Sequence, residues 1–480
     1  MRDLPRRNTL AEMPRITSRT RWVYGFGSIA YGVKDNGFSY FLMFYYNQVL
    51  DLPGTYAGTA ILIAMLLDAV SDPLVGFWSD NTRSRWGRRH PFMYASAFPV
   101  AFVYFFLWNP PVEHLSQMGL AVYLTCGAVL VRQFITLYEI PSTAIVAELT
   151  DDYDERTRLL SLRYMFGWFG GLAIAFLMWR VFMTLWGVDQ PKTFQVYGTF
   201  GAIAIFIAIM ASSAGLHAQI PYLRKPPERQ SYAVTQVLSD VRRTLSNRNF
   251  LALFVAGLFA AVGAGVSTNF NTYINTHFWA FTPEQVSWIV LSLFVSAGLA
   301  AMLAPIVTRR FDKKASALGI YGISIVYGAA PVLLRLMEWF PSNGSPWLFP
   351  IMMAHQISEV TLIIMFGIVQ SSMLADIVEE SEMSTGRREE GLFFSARTFA
   401  AKATSGIGAF FAGVALDLIA FPRTAAVGEV PQEVLFNLGL IYGPSLMILY
   451  FLALSSISFY RIGRRDHAQR VVTLAERAGR

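Results

Sequence analysis

The chain has 480 residues, of which 54% are hydrophobic and 15% are charged, and its mean hydropathy is +0.41. Soluble domains carry about 25% charged residues, so this composition excludes an ordinary soluble protein and predicts a polytopic membrane protein. The single cysteine, Cys126, excludes an intrachain disulfide framework. The net charge of +7 does not indicate a nucleic-acid partner, because the basic residues are confined to alternate loops.

Hydropathy predicts twelve membrane-spanning helices. The spans are expected at residues 22–50, 56–80, 91–109, 118–146, 161–186, 196–220, 250–280, 286–308, 315–337, 346–375, 391–419 and 434–460. They divide the chain into a tail (1–21), a first six-helix half (22–220), a linker (221–249) with an amphipathic helix near 231–246, a second half (250–460) and a tail (461–480).

The loops that follow even-numbered spans are basic, whereas the loop after span three has neither Lys nor Arg. This positive-inside pattern places both termini in the cytoplasm. No short apolar segment with a cleavage site precedes the first span, so no cleaved signal peptide is expected. The interpretation is a multi-pass protein of a bacterial inner (plasma) membrane.

Two aspartates, Asp68 and Asp72, lie four residues apart inside the second predicted span. This spacing puts both carboxylates on one face of a helix. A carboxylate at membrane depth costs roughly 2.5–3.5 kcal/mol, and two like charges on one face cost more unless a cation or proton lies between them. The pair therefore predicts a cation site.

The two halves of the chain resemble each other at equivalent positions. An acidic segment that includes Glu148 follows span four, and another that includes Asp376 follows span ten. The basic loop of residues 80–89 likewise has a counterpart at residues 308–314. Parallel six-span repeats are typical of major facilitator transporters, which bind substrate at the midplane between the halves.

The loop GFWSDNTRSRWGRRHPF at residues 76–92 is the most specific motif. It resembles the loop between spans two and three of the glycoside–pentoside–hexuronide:cation symporters, the melibiose permease group. Further matches, in the same order along the chain, occur at residues 24–27, 34–35, 68–73, 139–141, 385–395 and 398–402. The resemblance implies an all-α membrane protein with twelve transmembrane helices in two pseudo-symmetric halves, the major facilitator fold. It also implies secondary active transport by alternating access and no enzymatic activity.

In this family the two span-two aspartates and an acid in span four form the cation site. The matching residues are Asp68, Asp72 and Glu139, and Thr136 adds a hydroxyl one turn before Glu139. Oxygen-only ligation suits Na⁺, Li⁺ or H⁺, so the three acids bind a metal only if the protein is sodium-coupled. Melibiose permeases have aspartate where this chain has Glu139, which leaves Na⁺ against H⁺ open. The alternative is that these acids pair with Lys or Arg for structure alone. No other cofactor is expected.

The resemblance also implies that Lys402 in span eleven couples the cation site to the substrate site. A buried lysine needs an acid partner, and the span-two carboxylates are the obvious ones. The alternative is a lysine that snorkels to the helix end.

The family's principal sugar-binding residues match Asp35 in span one and Arg163 in span five, and Thr398 matches a further substrate contact. Aspartate accepts and arginine donates hydrogen bonds to sugar hydroxyls. The alternative is a direct Asp35–Arg163 ion pair. Lys34 is expected to point elsewhere on the helix.

Two further residues are candidates near the substrate. Arg397 stands where melibiose permeases carry glutamine, which suggests an acidic substrate such as a uronide or another buried acid as partner. Trp168 is expected to stack on a sugar ring, although such aromatic residues are more often packing or interface residues.

The loop after span two is expected to form an inner gate. The predicted gating residues are Asp80, Arg85, Arg88 and Glu148, and ion pairs are predicted between the arginines of this loop and the acids at the end of span four, with Glu148, Asp151 and Asp152 as candidates. Breaking such pairs as the halves rock would exchange one access state for the other. The alternative is that some of these arginines are topology signals alone.

The sequence therefore predicts cation-coupled symport of a glycoside, pentoside or hexuronide by a protein that functions as a monomer in a lipid bilayer. The main alternative is a symporter for lysolipids or other amphiphiles with the same fold. A non-transporting membrane sensor or scaffold and proton-driven drug efflux are further alternatives. The linker of about 30 residues is too short for a signalling domain, and the family resemblance disfavours antiport.

Overall fold

The computed structural model describes residues 16–150, 152–223, 247–385 and 390–461. Within these ranges the side chains of residues 153, 375, 378–385 and 390–398 lie outside the description. The described chain is helical and contains no strand. Most of the predicted linker, with its amphipathic helix near 231–246, falls outside the described residues.

Within the described residues, thirteen helical segments make up the membrane-spanning part of the chain, and the first two, which are short, together make the first span. In chain order they are α1 Ser18–Phe26, α2 Ile29–Asn36, α3 Gly54–Asn81, α4 His90–Trp108, α5 Gln117–Leu149, α6 Asp154–Trp186, α7 Pro191–Tyr222, α8 Arg248–Phe278, α9 Pro283–Arg310, α10 Lys313–Leu336, α11 Leu348–Thr385, α12 Glu390–Leu418 and α13 Gln432–Ser458. Wide π turns and short α turns continue α2 to Val49.

These helices are apolar over most of their circumference, which is the pattern of segments that face lipid or other helices. Eleven helices of the described chain are long and apolar enough to cross a membrane, judged by length and composition. Together with the divided first span they agree with the predicted twelve-helix fold.

Capping side chains define the first residue of several helices more precisely than hydropathy does. The Asp152 carboxylate accepts hydrogen bonds from the backbone N–H groups of Asp154 (2.8 Å) and Glu155 (3.0 Å), which satisfies donors that have no partner inside the helix. The charged stretch before residue 161 therefore forms the first turns of α6. The predicted start of this helix at residue 161 was wrong, because hydropathy does not register a polar helix end.

Contacts divide the chain into two compact units. The first comprises the residues up to Leu42 and those from Ile63 to the linker, and the second comprises the residues after the linker together with Met43–Leu62. Inside the second unit, the Asp417 carboxylate accepts hydrogen bonds from the backbone N–H groups of Gly54 and Thr55 at the start of α3. Helix α3 therefore contributes residues to both units.

Within each unit, glycines allow one pair of helices to cross closely. A Cβ at Gly32 on α2 would lie 2.1 Å from the carbonyl oxygen of Gly167 on α6. In the second unit, a Cβ at Gly265 on α8 would lie 2.4 Å from the carbonyl oxygen of Ser405 on α12. Small residues are the usual means of close helix approach in membranes. The crossing in the first unit aligns the part of α2 that carries Asp35 with α6.

Candidate functional site

The first polar cluster lies between α3 and α5. Asp68 is buried and Asp72, one turn further along α3, is half-buried. The Thr136 hydroxyl on α5 lies 2.9 Å from Asp68 Oδ1 and 3.2 Å from Asp72 Oδ1. The hydroxyl carries a single hydrogen, so the two carboxylates compete for it. The structure thus brings together three of the four predicted cation-site residues.

A residue that the sequence analysis did not single out, Arg132, completes this cluster. It lies one helical turn before Thr136 on α5, and its Nη1 donates to Asp68 Oδ2 at 3.0 Å. Both side chains are buried, with 7% of Arg132 and 2% of Asp68 exposed. The guanidinium carbon lies 5.0 Å from the centre of the Phe38 ring. An arginine inside an apolar span, four residues from a predicted ligand, was the signal that could have revealed it.

Glu139 lies on the same helix but has different neighbours. Its carboxylate interacts electrostatically with Arg163 on α6 and with Tyr31 on α2. Its backbone carbonyl accepts a hydrogen bond from Arg163 Nη2 at 3.3 Å. Helix α5 therefore connects two polar regions: Arg132 and Thr136 contact α3, whereas Glu139 interacts with residues on α6 and α2. Its role as a cation ligand stays a prediction.

The donor set fits a sodium ion in chemistry but not in arrangement. Carboxylates and a hydroxyl are suitable hard ligands for such a cation. Among the described residues, however, no three acids, histidines or cysteines are grouped so that they could hold a metal ion. Asp68, Asp72 and Glu139 do not form one group of this kind, and a guanidinium already contacts Asp68.

The predicted substrate residues lie along the crossing of α2 and α6. Asp35 is exposed, with 55% of its side chain accessible, and Lys34 Nζ lies 2.5 Å from its Oδ1. Arg163 is buried and donates to Ser142 Oγ at 3.0 Å. The alternative of a direct Asp35–Arg163 ion pair is therefore not the arrangement observed. The expectation that Lys34 points away from Asp35 was wrong, because a long flexible side chain reaches its neighbour.

A stacking contact holds the Arg163 guanidinium in place. Its central carbon lies 5.0 Å from the centre of the Tyr31 ring, and the Tyr31 hydroxyl donates to the Arg163 carbonyl at 3.1 Å. Arg163 is thus held by protein groups on three sides, whereas the Asp35 carboxylate, although paired with Lys34, remains accessible. Of the two predicted sugar-binding residues, Asp35 is the more accessible.

The remaining predicted substrate and coupling residues are spread over both units. Trp168 on α6 is 56% exposed. Lys402 lies on α12 in the second unit and is half-buried, and its coupling role stays a prediction. The side chains of Arg397 and Thr398 lie outside the described residues.

The predicted gate residues form a compact ionic cluster at the loop between α3 and α4. Glu148, at the end of α5, is buried, and its Oε1 lies 2.7 Å from Arg88 Nη2 and 3.0 Å from Arg89 Nε. Arg89 also pairs with Asp80 and donates to Ser79 Oγ at 2.6 Å. The structure therefore forms the Arg88–Glu148 pair and adds Arg89 as the residue that connects Glu148 to Asp80.

Other residues proposed for this gate lie elsewhere. Arg85 was predicted to pair with an acid, but its guanidinium carbon lies 5.4 Å from the centre of the exposed Trp86 ring. Asp152 caps α6, and Asp151 lies outside the described residues. The gating role of the cluster stays a prediction.

The second unit has a counterpart of this cluster. Lys313, the first residue of α10, donates to both carboxylate oxygens of Asp376 on α11, at 2.6 and 2.9 Å. The base follows the unit's second membrane span and the acid lies at the end of its fourth. These are the positions that Arg88 and Glu148 hold in the first unit, as the sequence repeat predicted.

Comparisons with known proteins agree with this architecture. A family model described as MFS/sugar transport protein matches residues 23–464. A putative glycoside/cation symporter of Escherichia coli, YagG, is 24% identical, with 94% of this chain and 93% of that protein covered. The mouse sphingosine-1-phosphate transporter MFSD2B is 25% identical, with 91% and 88% covered. The crystal structure of the nucleoside transporter NupG superposes with a TM-score of 0.60 at 14% identity, with 93% of this chain and 100% of that chain covered.

Proposed function

Because the chain belongs to the MFS/sugar transport family, we propose that it carries out symport of a sugar or glycoside, driven by an ion gradient, by alternating access. Its family and its structural neighbours are transporters, so the prediction of a non-enzymatic membrane transporter is confirmed. The protein is a multi-pass integral membrane protein. The proposal adds three points to the family assignment: the solute is a sugar or glycoside, an ion gradient drives its transport, and the ion and the solute move in the same direction.

The buried polar cluster between α3 and α5 is the observation that carries the coupling proposal. Burial of Asp68 and partial burial of Asp72 in an apolar helix are costly. Asp72 lies one turn from Asp68, and its carboxylate reaches the same Thr136 hydroxyl. Two acids at this depth can couple transport to an ion gradient if their charge changes during the transport cycle. Binding and release of the driving ion produce such a change.

Exposed groups beside the α2–α6 crossing support a sugar as the solute. The accessible Asp35 carboxylate accepts hydrogen bonds from sugar hydroxyls, and the exposed Trp168 ring offers a stacking surface. Arg163 is held in place by Ser142 and Tyr31, so we assign it a positioning role in the resting protein. A pentoside or hexuronide is accommodated by the same chemistry, and Arg397 favours an acidic sugar.

The proposal also covers the membrane in which the protein lies and its orientation there. We place the protein in a bacterial inner membrane with both termini in the cytoplasm, because the basic loops follow even-numbered spans. A monomer contains both six-helix halves that alternating access requires.

A second candidate function follows from one comparison. The mouse relative is named as a sphingosine-1-phosphate transporter and matches nearly the whole chain, which favours an amphiphile or lysolipid as the alternative solute. This alternative predicts transport that lysolipids stimulate and that sugars do not inhibit.

Uptake into right-side-out membrane vesicles tests the proposal. A panel of radiolabelled α- and β-glycosides, pentosides and hexuronates is offered under imposed Na⁺ or pH gradients. The wild type is compared with Asp72→Asn and with Asp189→Asn, a matched control at an exposed acid outside the cluster. We expect accumulation of one sugar class by the wild type and the control, and none by Asp72→Asn.

Two results would contradict the proposal. Absence of uptake of every sugar by correctly inserted wild-type protein, together with gradient-driven lysolipid uptake, would replace the sugar with an amphiphile. Full accumulation by Asp72→Asn would exclude the polar cluster as the coupling site.

A further inference from the structure

The contact between Arg132 and Asp68 bears on which ion the cluster accepts. Arg132 Nη1 lies 3.0 Å from Asp68 Oδ2, and the Thr136 hydroxyl lies 2.9 Å from the other oxygen, Oδ1. Each oxygen of Asp68 therefore lies within hydrogen-bond distance of a donor on α5. A sodium ion that used this carboxylate as a ligand would therefore lie close to the positive charge of the guanidinium.

The charge of Arg132 is permanent. A guanidinium is not deprotonated in proteins, so the cluster always contains one positive charge. Because both members of the pair are buried, the surroundings screen that charge weakly. A second cation at Asp68 would be repelled by the guanidinium at close range, and separating the pair would leave an uncompensated charge inside the bilayer.

The local charge count leads to the same conclusion. Asp68 and Asp72 carry two negative charges, and Arg132 neutralises one of them without any bound ion. Asp72 is half-buried beside the Thr136 hydroxyl, and Glu139 interacts instead with Arg163. Within the described part of the chain, no three acids, histidines or cysteines are grouped here so that they could hold a metal ion.

We propose that the Arg132 guanidinium is the resident cation of this site, so that the protein neither binds nor couples to Na⁺ or Li⁺. This inference rests on the proposed symport and specifies its ion by exclusion: of the predicted ions, only the proton needs no cage of oxygen ligands. Arg132 is then a specificity-determining residue, since its charge decides whether an alkali cation is admitted.

The test measures cation binding on purified protein, independently of any sugar. The melting temperature of the detergent-solubilised full chain is compared in equal concentrations of NaCl, LiCl and choline chloride. A ligand that binds only the folded state raises the melting temperature. The wild type is expected to give the same value in all three salts. Arg132→Gln is expected to gain an Na⁺-specific rise of about 3 °C.

Matched variants identify the cause of any gain. Arg132→Lys keeps the positive charge and should remain indifferent to Na⁺. Arg158→Gln removes an exposed arginine on α6 and should behave as the wild type. The double variant Arg132→Gln/Asp68→Asn should lose the gain, because the carboxylate that becomes the ligand is absent.

The outcomes separate this inference from the proposed function. Na⁺- or Li⁺-specific stabilisation of the wild type would overturn the inference, and so would a folded Arg132→Gln protein that gains no cation response. If Arg132→Gln does not fold, the wild-type comparison still decides, supported by Na⁺-gradient uptake in vesicles. A failure of symport itself would instead be seen as absence of uptake under every gradient, whatever the melting temperatures show.

Discussion

The two units use the same helix crossing but different ionic contacts. Gly32 on α2 approaches the backbone of α6, and Gly265 on α8 approaches the backbone of α12, with nearly equal closeness. Among the described residues, the basic partners at equivalent positions differ: Glu148 contacts two arginines that are 12% and 6% exposed, whereas the base that contacts Asp376, Lys313, is 31% exposed. Backbone packing is thus the shared architecture, and the charged loops are where the halves have diverged.

The largest loss of stability should come from removing Glu148, the acid of the first unit's ionic cluster. Glu148→Ala leaves Arg88 without its carboxylate and Arg89 with Asp80 alone, and breaking a buried ion pair costs about 3–5 kcal/mol. Thermal unfolding in detergent should show a lower melting temperature than the wild type. Asp154→Asn is the control, because Asp154 is exposed at the start of α6. A Glu148→Ala protein as stable as this control would refute the view that the cluster is buried and cooperative.

Substitution of the crossing glycines should have the next largest effect. Gly32→Ala and Gly265→Ala each place a methyl group against a backbone carbonyl, and overpacking of this kind costs roughly 1–3 kcal/mol. The control is Gly257→Ala on α8, where no described residue outside the helix's own turn comes within 4 Å of the added Cβ and alanine is favoured over glycine in a helix. Both crossing variants should melt below the wild type, and the control should not. Loss of stability at only one crossing would show that the two units are not equivalent there.

The second unit's ion pair should have a smaller effect. Asp376→Asn is expected to cost about 1 kcal/mol, because solvent screens the partly exposed Lys313. A double-mutant cycle with Lys313→Gln measures the coupling, and the same cycle on Arg88 and Glu148 should give a larger value. Equal coupling energies in the two units would remove the distinction between them.

Raising the ionic strength should produce the smallest change, a change in the coupling energies of the two ion pairs. It tests the same difference between the two units. Salt screens exposed charges more than buried ones. The coupling between Lys313 and Asp376 should therefore fall as NaCl is raised, whereas that between Arg88 and Glu148 should remain nearly constant. Parallel weakening of both couplings would show that the first cluster is as accessible as the second.

The helices and the order of polar positions could be predicted from the sequence because long apolar segments dominate it. The same signal misplaced the start of α6, where a capping aspartate extends the helix into a charged stretch. Asp68, Asp72 and Thr136 were identified correctly as neighbours because helical spacing and family resemblance agreed. Glu139 lies apart from them because it interacts with residues on α6 and α2. The spacing of residues along α5 does not show which residues of those two helices lie beside it.

Arg132 was missed for a different reason. Arginines inside the spans were considered only where the family resemblance pointed to them, as at Arg163, and no such match covers Arg132, although α5 carries it in its apolar part. The direction of the Lys34 side chain was misjudged. Adjacent residues leave a helix in different directions, but the four-carbon side chain of Lys34 is long enough to reach Asp35. Long basic side chains are therefore poorly located by helix geometry alone.

The Asp68–Arg132 ion pair also constrains how the protein is made. The two residues are 64 positions apart in the chain, so at about 5–20 residues per second the acid is synthesised roughly 3–13 s before its partner. During that interval α3 carries two carboxylates for which the arginine does not yet exist. Either α3 enters the bilayer at an energetic cost, or its insertion is completed only when α5 follows. The ion pair thus links the order of synthesis to the order of assembly.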